Sequence, residues 1–405
     1  MQKTFYQLDQ ILIEYADIWR ISPFVSPQPI WLQKYPKLTE WLLALSDGEV
    51  DELQGDDNLL CQQIAPYFPI AQEILDLIQL PFCEKHALFE RSYAWQRDVP
   101  GRKVEQIEAF AGAIGEISDP LLEWCCGKLH LGRYLAEQFN FPVLGLDINE
   151  KLVKHANQLA LRMKSNARVE QCDVLSDEVK LKLNNQQHAI ALHACGGLHV
   201  SLLEACIEKK VKRITLAPCC YHRFNQSNQF HPLSKVAQNS SLKLENNDLR
   251  NAVRQSNTAP ERERVKRKKL QSWRLGFDLL QREIRGVDEY LPVPSISPAI
   301  LEGNFSQFCQ HVAKIKGLVI PESTCVDTYE KLGEKRFFEF SRFELVRMTF
   351  RRALECWLVL DRVMYLEECG YECSLVQFCL PSLTPRNFLI DAVNTHHSST
   401  ILISR

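Results

Sequence analysis

Between residues 121 and 218, five short apolar runs alternate with amphipathic segments, and this alternation constrains the chain more than any other feature. LLEWCC (121–126), VLGLDI (143–148), RVEQCDV (168–174), AIALHA (189–194) and VKRITLAP (211–218) are of strand length. GRYLAEQF (132–139), EKLVKHANQLALRM (150–163) and LLEACIEK (202–209) have helical spacing, with Leu152, Val153, Ala156, Leu159 and Ala160 on one face of the second. Strand–helix–strand repetition predicts an α/β fold, a mostly parallel sheet with helices on both faces.

The flanks differ. Residues 1–100 read as a helical N-terminal region broken by Pro23, Pro27, Pro29, Pro66 and Pro69. Residues 101–222 hold the alternating core. Residues 223–340 are polar and charged and read as a basic insertion or subdomain. In residues 341–405 a long amphipathic helix over 343–370 precedes two strand-like segments, 373–380 and 386–393. These are expected to complete the sheet as a final antiparallel pair.

Charge is nearly balanced, with a formal net of -2, so any nucleic-acid surface has to be a local patch. No apolar run approaches the roughly 18 residues of a membrane span. The first residues carry Asp9, Glu14 and Asp17 within their apolar pattern, unlike a signal peptide. Fifteen cysteines without such a leader read as reduced thiols in a cytoplasmic protein.

In an open α/β sheet, ligands bind beyond the carboxyl ends of the strands. The first strand is followed by Cys125-Cys126-Gly127-Lys128-Leu129-His130-Leu131-Gly132, where Gly127 lets backbone approach a ligand. Asp147, about 20 positions on, suits a ribose hydroxyl, and Asp173 an adenine amino group. Singly, each aspartate reads equally well as a helix cap. Together they favour an adenosine-bearing cofactor. The turn lacks the full G-x-G-x-x-G of nicotinamide dinucleotide sites.

The fourth and fifth strands end in His193-Ala194-Cys195-Gly196-Gly197 and Pro218-Cys219-Cys220-Tyr221-His222. Both tips are expected to open on the same crevice. Zinc is disfavoured there, because no C-x-x-C pair occurs and adjacent cysteines rarely share an ion. A Cys219 nucleophile, buried structural thiols, and a lining that positions an acceptor with His193 or His222 as base remain open.

These residues resemble a group of class I methyltransferases. The group includes the methyltransferase-like proteins once described as having a ribosomal RNA adenine dimethylase domain, and the eukaryotic tRNA acceptor-stem ribose methylases. The resembling stretches are EWCCGKLHLGRYLA (123–136), ALHACGGL (191–198), APCCYH (217–222), LECWLVLDRVMYLEECGY (354–371) and LTPRNFLI (383–390). WRLGFDLLQREIRGVDEYLPVPS (273–295) is similar to bacterial relatives. The resemblance implies a Rossmann-like methyltransferase sheet and S-adenosyl-L-methionine as cofactor. The implied cofactor contacts are Glu123, Cys126, Gly127, Gly132, Asp147, Asp173 and His193. Acceptor chemistry is implied at His193, Cys195, Cys219, Cys220, Tyr221 and His222. The group shows glycine where Leu129 stands, so a leucine side chain is expected beside the methionine moiety.

Residues 250–285 carry Arg250, Arg254, Arg262, Arg264, Lys266, Arg267, Lys268, Lys269, Arg274, Arg282 and Arg285, with Trp273 and Phe277 among them. Basic residues interleaved with aromatics suit RNA, tRNA or ribosomal RNA, contacted through Arg264, Lys266, Arg267, Lys268 and Lys269. A solvated helix face is the blander reading. The alternatives to an RNA methyltransferase are a protein or small-molecule methyltransferase and a non-catalytic cofactor-binding relative.

Overall fold

A computed structural model of the protein describes residues 1–89, 95, 99–223, 230–253 and 261–395. The chain divides into two compact units, and these cut across the four-part division drawn from the sequence. One comprises Met1–Gln10, Leu77–Val253 and Leu354–Arg405, the other Ile11–Asp76 and Arg254–Ala353.

The first unit contains a seven-stranded sheet. Its elements are α1 (Gly101–Ile114), β1 (Leu121–Trp124), α2 (His130–Phe139), β2 (Val143–Asp147), α3 (Glu150–Arg162), β3 (Ala167–Gln171), β4 (His188–Cys195), α4 (Gly197–Glu208) and β5 (Arg213–Cys219). Most of α8 (Arg351–Glu368) follows, then β6 (Tyr371–Gln377) and β7 (Phe388–Asn394). The strand order is β3-β2-β1-β4-β5-β7-β6. Strands β1 to β5 pair in parallel, while β7 is antiparallel to both β5 and β6. The expected closing antiparallel pair is present, with β7 inserted between β5 and the edge strand. A half-buried polar cluster ties it to β5. The Arg213 guanidinium grips the Asp391 carboxylate at 2.9 and 3.0 Å, and Thr215 Oγ1 donates to the same carboxylate at 2.6 Å.

The inner parallel strands are mostly buried because helices cover both faces, whereas the edge strand β3 (ARVEQ) alternates buried and exposed residues. The core packs Ile107, Phe110, Leu121, Leu135, Val143, Val169, Ile190 and Leu389. The first strand stops at Trp124, two residues short of the apolar run, because Cys125 turns the backbone into the left-handed region at φ +54°. Sheet order reverses between β1 and β4, which defines the crevice where such folds hold ligands.

The second unit is helical in its described residues. Pro23, Pro27 and Pro29 lie between helices Ala16–Trp19 and Trp31–Lys34, and Pro66 and Pro69 between Asp57–Ile64 and Ile70–Ile78, while Pro36–Ala44, Asp47–Gly55 and Asp57–Ile64 follow one another with no proline between them. Ser46 and Glu49 close a capping box on Asp47–Gly55. With them belong α5 (Glu261–Arg285), α6 (Phe305–Lys316) and α7 (Val326–Met348). Trp273, Phe277, Phe305, Phe308 and Val312 form the cluster joining α5 and α6. The helix expected over 343–370 is two helices, α7 and α8, interrupted at Thr349 and Phe350. No described helix is long and apolar enough to cross a membrane.

Candidate functional site

The turn after β1 is tied to the tip of β2 by a carboxylate. Asp147 Oδ2 accepts from the Gly127 backbone N–H at 2.8 Å, and Oδ1 accepts from Asn149 N–H at 2.9 Å. Gly127 has φ +57°, and a side chain built there would meet nothing within 4 Å. Open space therefore lies beside the turn at the switch point. Each Asp147 oxygen keeps a further lone pair for a hydroxyl donor. Asp173 lies two residues beyond β3, exposed, with Oδ1 accepting from Leu175 N–H at 3.0 Å.

Glu123 and Gly132 support this turn from beneath. Glu123 is buried, and its Oε2 accepts from Gly132 N–H at 2.7 Å. Burial pushes its carboxyl up to about 8, against the opposing Gly132 hydrogen bond and Lys103 charge. The Cys126 thiol points into the core, where a Cβ on Gly145 would lie 2.6 Å from its Sγ. The Cys126 backbone is engaged in the turn, its N–H donating to the Leu146 carbonyl and its carbonyl accepting from Leu129 N–H.

Leu129 corrects the expectation of a crowded methionine pocket. It is fully buried, and its Cδ1 fills the space beside Gly132 and Gly145. The residue type alone carries no sign of this, because a left-handed backbone at φ +56° swings the side chain into the core. Removing the left-handed penalty recovers about 1 kcal/mol, whereas deleting a buried leucine costs about 2–5 kcal/mol. Leu129→Gly is therefore expected to lower stability by about 1–4 kcal/mol in urea denaturation.

The tips of β4 and β5 carry the second constellation. His193 sits at φ +67° with Nε2 3.0 Å from Gln106 Oε1. Burial, then the Lys103 charge, lowers its pKa, so the ring is neutral at pH 7. A bulge between Leu192 and Cys195 re-aims β4. Cys195 and Cys219 then stand in register with their sulfurs 3.5 Å apart. The thiols of Cys195, Cys219 and Cys220 all lie within 4.8 Å of one another. Hydrogen bonds with Cys195 and Cys219 hold the Cys220 thiol well below its usual value, while those with Cys195 and Cys220, together with burial, hold Cys219 high. Cys219, buried and protonated, is a poor nucleophile.

His222 is half-buried, its pKa lowered by burial, and its Nδ1 has no partner among the described residues. Tyr221 departs from the sequence expectation of an acceptor-site residue. Its hydroxyl is buried 3.5 Å from the Pro218 carbonyl, and its ring lies between His199 and the Arg362 guanidinium. It packs behind the strand tip, in the turn that leaves β5 through the left-handed Cys220.

Sequence reasoning missed the group that fixes this tip. Arg362 Nε donates to His199 Nε2 at 3.3 Å, and His199 Nδ1 is 3.3 Å from the Ala194 carbonyl. Arg362 also pairs with Asp361, whose carboxylate accepts from the Leu233 and Ser234 backbone. The available signal was Asp361-Arg362 standing within the apolar run LECWLVLDRVMYL.

The basic stretch is less free than its sequence suggests. Lys268 pairs with Asp51 at 3.0 Å, and Arg264 approaches the same carboxylate at 4.0 Å. Lys269 donates to the Leu301 carbonyl and lies over the Trp273 ring. Arg274 and Arg282 are likewise engaged within the unit. Lys266 and Arg267 are exposed and, among the described residues, unpaired. Arg254 lies outside the described residues. Arg264, Arg267 and Lys268 also line a cavity of about 260 Å³ floored by Phe337 and Phe340.

Residues 102–227 match a family model described as a methyltransferase domain. The chain is similar over 34% of its length to a solved geranyl diphosphate methyltransferase in complex with GPP and sinefungin, covering 53% of that chain at 14% identity and a TM-score of 0.25. A Pyrococcus abyssi tRNA (uracil-54, C5)-methyltransferase in complex with S-adenosyl-L-homocysteine matches at 23% identity over 28% of this chain and 27% of that one, TM-score 0.23. The 23S rRNA methyltransferase ErmE matches at 20% identity over 28% and 44%, TM-score 0.24. The chain thus spans about half the length, or less, of these structures. The segment that matches the methyltransferase-domain model contains the crevice at the β1–β4 switch point.

Proposed function

We propose that the protein transfers a methyl group from S-adenosylmethionine to RNA. The observation that carries the cofactor half of this reading is the Gly127–Asp147 pair, an open glycine turn locked to a strand-tip carboxylate at the switch point. Asp147 would hold the ribose hydroxyls, Gly127 the methionine end, and Asp173 the adenine edge. The cofactor supplies an electrophilic methyl on a sulfonium, displaced in line so that sulfur keeps the bonding pair. The protein aligns the acceptor and excludes water. For a hydroxyl acceptor, neutral His193 or His222 takes the departing proton. For a base nitrogen, alignment alone is enough, with Cys195, Cys219 and Cys220 beside the acceptor.

The cofactor half is tested by calorimetry. The wild-type protein is expected to bind S-adenosylmethionine, and Asp147→Ala to weaken it by about 1–3 kcal/mol, the loss of one buried polar contact. Absence of binding at millimolar cofactor would overturn the reading.

The RNA half is supported by the exposed, unpaired cations of α5 and the aromatic-floored hollow beside them. Lys266 and Arg267 are the informative pair, since Arg264, Lys268 and Lys269 already have internal partners. Changing both to Gln is expected to weaken tRNA or ribosomal RNA binding regardless of sequence. The salt slope should flatten by roughly 0.7–0.9 log units for each phosphate that is no longer neutralised. Anisotropy titrations at several salt concentrations read both. An unchanged slope would remove α5 from the argument and favour a protein or small-molecule acceptor.

A further inference from the structure

The three thiols at the tips of β4 and β5 are neighbours only because the backbone is distorted in two places. Adjacent residues in an extended strand point to opposite faces, so Cys219 and Cys220 ought to diverge. They converge because Cys220 occupies the left-handed region at φ +50°, which turns its side chain back beside Cys219. Cys195 is brought to them by an independent distortion, the left-handed His193 and the bulge before Cys195. Two non-glycine residues held at positive φ cost of order 1–3 kcal/mol each, and such strain persists where the surroundings over-determine it. The surroundings do so here. Gly196 N–H donates to the Cys219 carbonyl and Gly197 N–H to the Arg223 carbonyl, at 2.9 and 2.7 Å.

Both distortions have one result, three sulfurs within 4.8 Å of one another, two of them 3.5 Å apart. An ion bonded to three thiolates at about 2.3 Å separates them by about 3.8 Å, so the cluster closes on an ion with small shifts. We infer that Cys195, Cys219 and Cys220 form a three-thiolate site for a single thiophilic metal ion of the zinc class. Three sulfur ligands and no carboxylate select a soft or borderline ion over magnesium or calcium. Three protein ligands leave a fourth position for water or an exogenous donor. The expectation from sequence that adjacent cysteines do not share an ion is set aside by the backbone turn at Cys220. These thiols also stand beside the acceptor in the proposed function, but zinc binding is read without cofactor or acceptor, so the inference does not rest on that reading.

The test is metal analysis of the reduced full-length protein, loaded with zinc alone, dialysed and assayed by mass spectrometry. About one zinc per chain is expected. Cys195→Ser and Cys220→Ser should each lose most of it, with affinity against a chromophoric chelator falling more than about tenfold. Cys325→Ser, which changes an exposed thiol elsewhere, should keep it. Cobalt substitution of the wild-type protein gives a readout independent of how the variants fold, because a sulfur-to-cobalt charge-transfer band reports thiolate ligation. No tight zinc in the wild type, retention of zinc by both variants, or a Cys195–Cys219 disulfide in place of the ion would overturn the assignment.

Discussion

Gly196→Ala is expected to lower the unfolding free energy by about 3–5 kcal/mol. Two effects add. Gly196 has φ +53° and ψ −120°, a conformation open essentially to glycine alone, and another residue there costs of order 1–3 kcal/mol. An added Cβ would also collide with the Arg223 carbonyl, a backbone atom that cannot rotate away. Relief requires parting the two loops, which breaks the Gly196–Cys219 and Gly197–Arg223 hydrogen bonds. Gly127→Ala makes the control. Its φ is similarly positive at +57°, but its Cβ enters open space, so only about 1 kcal/mol of backbone strain is expected. Urea denaturation of both variants separates the contributions. Equal losses in the two would show that the Arg223 contact is not limiting. Because the same loops bring Cys195 to Cys219 and Cys220, Gly196→Ala should also lose bound zinc.

Glu123 gives the largest expected dependence on pH. Its carboxyl is raised to about 8 in the folded protein, first by burial, from an ordinary value of 4.5. Below about 4.5 the group is protonated whether folded or unfolded, and its burial costs nothing extra. Between the two values the unfolded chain ionises it while the folded chain retains the proton. Stability therefore falls as pH rises from about 4.5 to about 8, by at most about 1.4 kcal/mol per pH unit, then levels. Glu123→Gln keeps an acceptor for Gly132 N–H and cannot ionise. Its stability relative to wild type is expected to rise steadily from pH 5 to pH 8 in denaturation series. A constant difference across that range would mean Glu123 is ionised in the folded protein. On the proposed function, the cofactor's positive charges oppose the shift. Binding near pH 6 should then release a proton in wild type and not in Glu123→Gln, seen as a buffer-dependent heat in calorimetry.

The sequence determined what depends on local pattern. Apolar runs separated by amphipathic helices are sufficient for a parallel sheet, so β1 to β5 and their helices were legible, as were the Gly127 turn and Asp147. The antiparallel closing pair was legible from its two late apolar segments. Tertiary structure alone decided what depends on backbone angle and on residues far apart in the chain. Leu129 reads as an intruder in a cofactor loop, yet its left-handed φ seats it in the core between Gly132 and Gly145. Tyr221 reads as part of a reactive run, yet the turn after left-handed Cys220 seats its ring against Arg362. The basic stretch reads as a free cationic face, yet Asp51, over two hundred residues earlier, neutralises Lys268. Cys195 and Cys219 are 24 residues apart, and only the register of β4 on β5 makes them neighbours. Periodicity records which face of an element is apolar. It carries no record of a positive φ at a non-glycine residue, or of which distant side chain a register brings into contact, and those two factors shape this site.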